Sequence, residues 1–387
     1  MSHSKNTIEM KNTYLESKPR YEILDGLRGV AAVVILVYHL FEACGVVLGH
    51  AYLGVDFFFA LSGFVIGYAY DDRWGRMSVG DFFKRRLVRL HPMLIMGTTV
   101  GLLLYYFGQC EAFPYIGQWP WWRVLVMYLY CCLMLPMARS WDMRGWDDTN
   151  SFNGSTWSLQ WEYVANIVYA LVLRFLPKVA LIALTAVAAM GTIDITFNLD
   201  TLGLLEGRFG APYTVNGGWN LSSQELYVGA VRLAYPFLVG LLLSRLKAVL
   251  KVRYAFALCS LLVVVMMLWP VMEGAVNGIY EAACILVLIP TIVAIGAGST
   301  VSGKRSMRVC KFLGEISYPL YITHLPLIYV QLAWMSNNPE ATTGEAIIVA
   351  VSVAVIAIAL AYASLKLFDV PVREWLTEHW LKKKTKK

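Results

Sequence analysis

Apolar stretches of about 18 or more residues recur along the whole chain, and each is long enough to cross a hydrocarbon core of roughly 30 Å as a helix. Composition agrees. Of the 387 residues 58% are hydrophobic and only 15% charged, and the mean hydropathy is +0.56. A soluble domain runs near 25% charged and 45–50% apolar. Residues 1–22 are polar and mixed in charge, and the first apolar stretch has no small-residue cleavage site after it, so no cleaved leader is expected. The reading is an all-α, polytopic transmembrane helix bundle.

Eleven apolar segments lie near 27–48, 52–70, 91–108, 121–138, 158–176, 179–197, 227–246, 254–272, 279–298, 315–336 and 346–366. The Lys-containing head and the tail "LKKKTKK" place both termini in the cytoplasm. Eleven crossings cannot join two ends on one side. Counting inward from both ends through the basic loops leaves 121–138 as the odd segment, re-entrant or flat in the outer leaflet. Such backbone is tolerated where it is buried in protein or lines a cavity. The expectation is ten spans plus one partial segment, in a cytoplasmic membrane.

The net charge of +7 gathers in short segments beside the apolar runs. That pattern marks cytoplasmic loops among membrane lipids, with no nucleic-acid partner. Seven scattered cysteines form no C-x-x-C and no paired spacing with histidine, so neither a metal site nor a disulfide framework is expected.

Ionisable residues inside the spans carry the functional signal, because each costs a few kcal/mol at mid-depth unless it is paired or used. In "LDGLRGVAAVVILVYHL", Arg28 and His39 are eleven residues apart. On a helix they fall within about 20° of one another and about 16 Å apart along the axis. Asp56, in "GVDFFFALSGFVI", sits at a depth similar to His39 and could orient it, with Ser62-Gly63 offering close helix approach. "FFKRRLVRLHP" places Lys84, Arg85, Arg86 and Arg89 at the inner face, suited either to topology alone or to clamping phosphates. Glu162 lies about one turn inside its span, among Trp157, Trp161 and Tyr163, where it can serve as acid, base or imidazole partner. His324, with Tyr318 and Tyr321 near it, is a second intramembrane histidine.

There is no G-x-S-x-G elbow, Walker loop or dinucleotide fingerprint. Two classes stay open. One is an enzyme with His39 as general base on a hydroxyl. The other is a proton-coupled transporter or flippase using His39, Glu162 and His324 as a relay.

Six stretches in order, "LDGLRGVAAVVILVYH", "GVDFFFALSGFVI", "FFKRRLVRLHP", "WSLQWE", "LGEISYPLYITHLPL" and "FDVPVREWL", resemble the membrane acyltransferase family 3, the acyltransferases that modify bacterial surface carbohydrates. The resemblance implies a ten-helix acyltransferase domain over residues 23–372, between a head at 1–22 and a basic tail at 373–387. It implies cytoplasmic acyl-CoA as co-substrate, acetyl being the default acyl group, no tightly bound cofactor and a carbohydrate hydroxyl as acceptor. A bacterial inner membrane is the implied location. His39 matches the family's essential histidine, with Arg28 as its paired basic residue. Arg86 and Arg89 match its arginine pair, implying contact with CoA phosphates, to which Arg85 is added. Glu162 and His324 match the Glu and His of two further motifs, and Asp369 with Pro371 fits the terminal acidic-x-Pro.

His91 stands where Tyr is usual, one Glu follows "WSLQW" where many members have two, and Pro319 interrupts "SYPLY". Some members carry a second, esterase domain. Ending at "KKKTKK", this sequence is expected to complete transfer within its membrane part or with a separate partner. The outer loops 139–156 and 198–226, rich in Trp, Asn, Gly and Asp, are the expected site of acceptor recognition. Sequons at Asn153 and Asn220 carry no meaning in that location.

Overall fold

The computed structural model describes residues 18–108, 110, 112–113, 116–206 and 212–381. Most of the expected head, residues 1–17, and the last part of the expected tail, residues 382–387, lie outside them. Apart from one bridge between Trp74 and Met77, the described residues are helices and connections. In chain order the helices are α1 (Glu22–Glu42), α2 (Leu53–Tyr70), α3 (Val79–Tyr106), α4 (Trp121–Cys132), α5 (Thr156–Leu171), α6 (Lys178–Thr196) and α7 (Ser223–Leu246). There follow α8 (Ala255–Leu268), α9 (Gly274–Ala283), α10 (Ile289–Gly298), α11 (Lys304–Asn337), α12 (Thr343–Ser364) and α13 (Val370–Leu376). A π turn at Cys284–Leu288 joins α9 to α10, and another at Leu365–Asp369 joins α12 to α13.

Seven of these are long and apolar enough to cross a membrane: α1, α2, α3, α6, α7, the α9–α10 run and the run from α12. Side chains such as Val187, Val351 and Val355 on their outer faces are exposed, as suits helices whose solvent is lipid. Several ends are set by sequence. Ser78 and Asp81 form a reciprocal capping box on α3, and Thr342 and Glu345 do the same on α12. Lys247, in the left-handed region, closes α7.

Connections alternate between two ends of the bundle. At the basic end, Arg245 bonds both Asp71 and the Leu176 carbonyl, and Lys366 pairs with Glu315. At the far end, His50 meets the Trp269 carbonyl, Asn277 the Tyr213 carbonyl, and Thr149 N–H the Trp219 carbonyl. The segment expected near 121–138 is a helix of 12 residues. At 1.5 Å per residue it is about 18 Å long, short of a crossing. The segments expected at 158–176 and 254–272 are also shorter, at 16 and 14 helical residues.

The largest helix contacts are α1 with α11 and α2 with α7. Both need glycine. A Cβ on Gly29 would collide with the backbone of Leu313, and one on Gly63 with the Phe237 carbonyl. The Ser62-Gly63 reading thus holds as a place of close backbone approach.

Candidate active site

His39 lies in the last turn of α1, and His324 in the middle of α11, between Pro319 and Pro326. The α1–α11 packing brings the two imidazoles together, stacked with centroids 5.4 Å apart and planes 30° apart. His324 is 1% exposed. Its Nδ1 lies 2.8 Å from the Tyr321 carbonyl oxygen and 3.2 Å from that of Leu320, so Nδ1 carries the proton and donates it. Nε2 is left as a buried lone pair with no protein partner. His39 Nδ1 lies 2.8 Å from Glu42 Oε2, and Tyr38 Oη donates to Glu42 Oε1 at 3.3 Å.

Both histidines line a cavity of about 430 Å³ at the far end of the bundle. Its walls include Glu42, Asp148, Trp146, Trp157 and Trp219. That size suits a small molecule or one or two ring-sized groups. The loop before α5 is drawn into the fold there, with Ser151 and Asn153 fully buried. The reason lies in α11. Pro326 has no N–H, so the Ile322 carbonyl four residues back loses its helical donor. Asn153 Nδ2 donates to that carbonyl at 2.7 Å. Gly154 N–H bonds Tyr329 Oη at 2.9 Å, and Ser158 Oγ meets Tyr321 Oη at 2.7 Å. Buried Arg144 pairs with Asp148 and lies over the rings of Tyr329 and Trp146. These bonds tie "NGSTWS" to "SYPLYITH", two stretches about 165 residues apart in the sequence.

The carboxylates expected to orient His39 have other partners. Asp56 is fully buried and receives Arg232 through Nη2 at 2.7 Å and Nε at 3.3 Å. Arg232 also donates to the carbonyls of Gly217 and Tyr52, which pins the loop before α7 over the cavity. Glu162 Oε1 accepts from Arg86 Nη2 at 2.6 Å and from Ser62 Oγ at 3.0 Å. The partner found on His39 is therefore Glu42, in place of Asp56 or Glu162. The spacing in "YHLFE", three residues on and one turn away, allows this contact on one helix face without requiring it. Arg232, a lone cation in the apolar run of α7, was open to the same ionisable-residue argument and was missed.

The arginines divide. Arg86 is taken by Glu162, with 11% of its side chain exposed. Arg28 pairs with Asp25. Arg89 lies within electrostatic reach of Arg28, Arg373, Asp25 and Asp369, and Arg373 pairs with Asp369 at 2.9 Å. Arg85, one residue before Arg86, is partly buried with its Nε lacking a protein partner. Arg28 thus sits toward the basic end of α1, whose far end frames the cavity, and Arg85 and Arg89 sit toward the basic end of α3, which packs against α11.

Residues 21–365 match the acyltransferase domain family. The chain belongs to that family. A protein named "Protein 2 in picA locus" from Rhizobium radiobacter is 41% identical over 90 residues, 23% of this chain and 46% of that protein. The O-acetyltransferase OatA of Staphylococcus aureus is 24% identical over 347 residues, 84% of this chain and 53% of OatA. The acyltransferase domain thus spans about half the length of the curated relatives it matches. No solved structure matches it.

Proposed function

We propose that the protein is a membrane O-acetyltransferase that moves an acetyl group from acyl-CoA, bound at the basic, cytoplasmic end, to a hydroxyl of a carbohydrate at the far end. The observation that carries this reading is the pairing of His39 with His324 inside a cavity walled by tryptophans, in a chain of the acyltransferase family. The name of OatA, an O-acetyltransferase, supports the reaction class.

With Nδ1 turned to Glu42, His39 offers Nε2 as the base. It takes the proton of the acceptor hydroxyl as the oxygen attacks the thioester carbonyl. The C–O bond forms, the C–S bond breaks, and the CoA thiolate leaves and collects a proton. Holding both reactants at one point replaces a two-body encounter by a positioned one. Because Arg86 is already bonded to Glu162, the phosphates of CoA fall to Arg85 and Arg89, with Arg28 beside them. Tryptophan faces at the far end supply stacking surfaces for sugar rings.

CoA itself separates this reading from a transporter. CoA or acetyl-CoA is expected to raise the melting temperature of the purified protein, through a stabilisation of about 2.7 kcal/mol at a hundred times the dissociation constant. A melt indifferent to both would overturn the acyl-CoA reading and favour the transporter.

A further inference from the structure

We propose that Glu42 is the positioning residue for His39, holding its Nδ1–H tautomer and its ring plane so that Nε2 faces the reacting hydroxyl. The inference deepens the function proposed above and depends on His39 being the base.

Three observations carry it. First, the carboxylate is fixed at both oxygens, Oε2 by His39 Nδ1 at 2.8 Å and Oε1 by Tyr38 Oη at 3.3 Å. A carboxylate held from two sides has a set direction, and so does the imidazole it faces. Secondly, the acids that could compete are committed elsewhere: Asp56 to Arg232, Glu162 to Arg86 and Ser62, Asp148 to Arg144. Thirdly, the stacking partner His324 cannot set the tautomer. Its Nδ1–H is spent on backbone carbonyls, and its ring meets His39 face to face rather than edge to nitrogen.

The chemistry needs such a group. A neutral imidazole has two tautomers, and only the one protonated at Nδ1 leaves Nε2 free to accept. When Nε2 takes the proton the ring becomes a cation, which the neighbouring carboxylate stabilises. The carboxylate of a hydrolase triad plays the same part through a histidine. Glu42 and His39 both border the cavity, with 48% and 28% of their side chains exposed.

The test is steady-state kinetics on the full-length protein in detergent, with acetyl-CoA and a fixed sugar acceptor, together with melting temperatures. Glu42→Gln is expected to lower kcat by roughly 10²–10⁴-fold, leaving both KM values and the melting temperature unchanged. Glu42→Asp should recover part of the loss. Tyr38→Phe, which keeps the carboxylate and removes one of its anchors, should show a smaller fall in kcat, and it keeps the proposal testable if Glu42→Gln does not fold. Adding Glu42→Gln to His39→Ala should cost nothing further, since the two act as one unit. Full kcat in Glu42→Gln, with His39→Ala inactive, would overturn the role of Glu42 alone. So would a change confined to the acceptor's KM, which would make Glu42 a substrate contact. An active His39→Ala would instead overturn the proposed function beneath it.

Discussion

His39 of α1 and His324 of α11 stack with 5.4 Å between ring centroids, and each has its Nδ1 engaged by another group, Glu42 and the Tyr321 carbonyl respectively. Two Nε2 atoms are thereby left for whatever enters the cavity. Replacing His324 by Phe keeps a flat ring against His39 and removes that nitrogen. His324→Phe is expected to melt close to wild type yet lose turnover by at least about a hundredfold, the low end of what a positioned proton-transfer group supplies. CoA release with a sugar acceptor, read beside the melting curve, checks this. Full activity would mean His324 serves only to pack.

Asp56 and Arg232 form an ion pair with no exposed surface on either side chain. Removing one partner strands a buried charge, which costs about 3–5 kcal/mol. Asp56→Ala is therefore expected to lower the unfolding free energy by that amount, read from the shift of the thermal or denaturant midpoint. The paired replacement Asp56→Leu with Arg232→Met should cost much less. An Asp56→Ala variant that melts like wild type but loses kcat would restore Asp56 as a partner of His39.

Arg86 and Glu162 meet at 2.6 Å with partial exposure. Arg86→Ala and Glu162→Ala should each cost roughly 1.5–3 kcal/mol, as charge-assisted hydrogen bonds do. The double variant should lose little more than either single one. Arg89→Ala, by contrast, should raise the KM for acetyl-CoA at little cost to stability. If Arg86→Ala raises that KM as much as Arg89→Ala does, Arg86 leaves Glu162 to hold a phosphate.

Asn153 replaces the hydrogen bond that Pro326 denies to the Ile322 carbonyl. Asn153→Ala should cost about 1–3 kcal/mol, the penalty for a buried polar group left unpaired. Pro326→Ala restores a helical N–H to that carbonyl. In that background the loss from Asn153→Ala should shrink. Equal losses in both backgrounds would mean the bond does not answer the proline.

Much of this was legible in the sequence, for physical reasons that differ by level. Spans announce themselves because lipid demands long apolar runs. The basic loops announce the ends of the bundle. The same rule that made His39, Glu162 and His324 conspicuous, that an ionisable residue at depth needs a reason, also applied to Arg232. Pairings were not legible. Asp56 and His39 share a depth, but depth does not say which way a helix is turned, and α2 turns Asp56 to α7. Glu42 lies at the end of a span, and nothing in "YHLFE" reveals that the chain past it folds over a cavity. Nor does the sequence reveal that Asn153, one of two sequons, answers a proline in α11. That bond joins distant segments through a backbone carbonyl.

The most direct measurement is release of free CoA from acetyl-CoA by the purified protein with a sugar acceptor, comparing wild type with His39→Ala. The expected result is steady release by wild type and none above background by His39→Ala, while both are equally stabilised by acetyl-CoA. Release at the wild-type rate from His39→Ala would contradict the account at its centre.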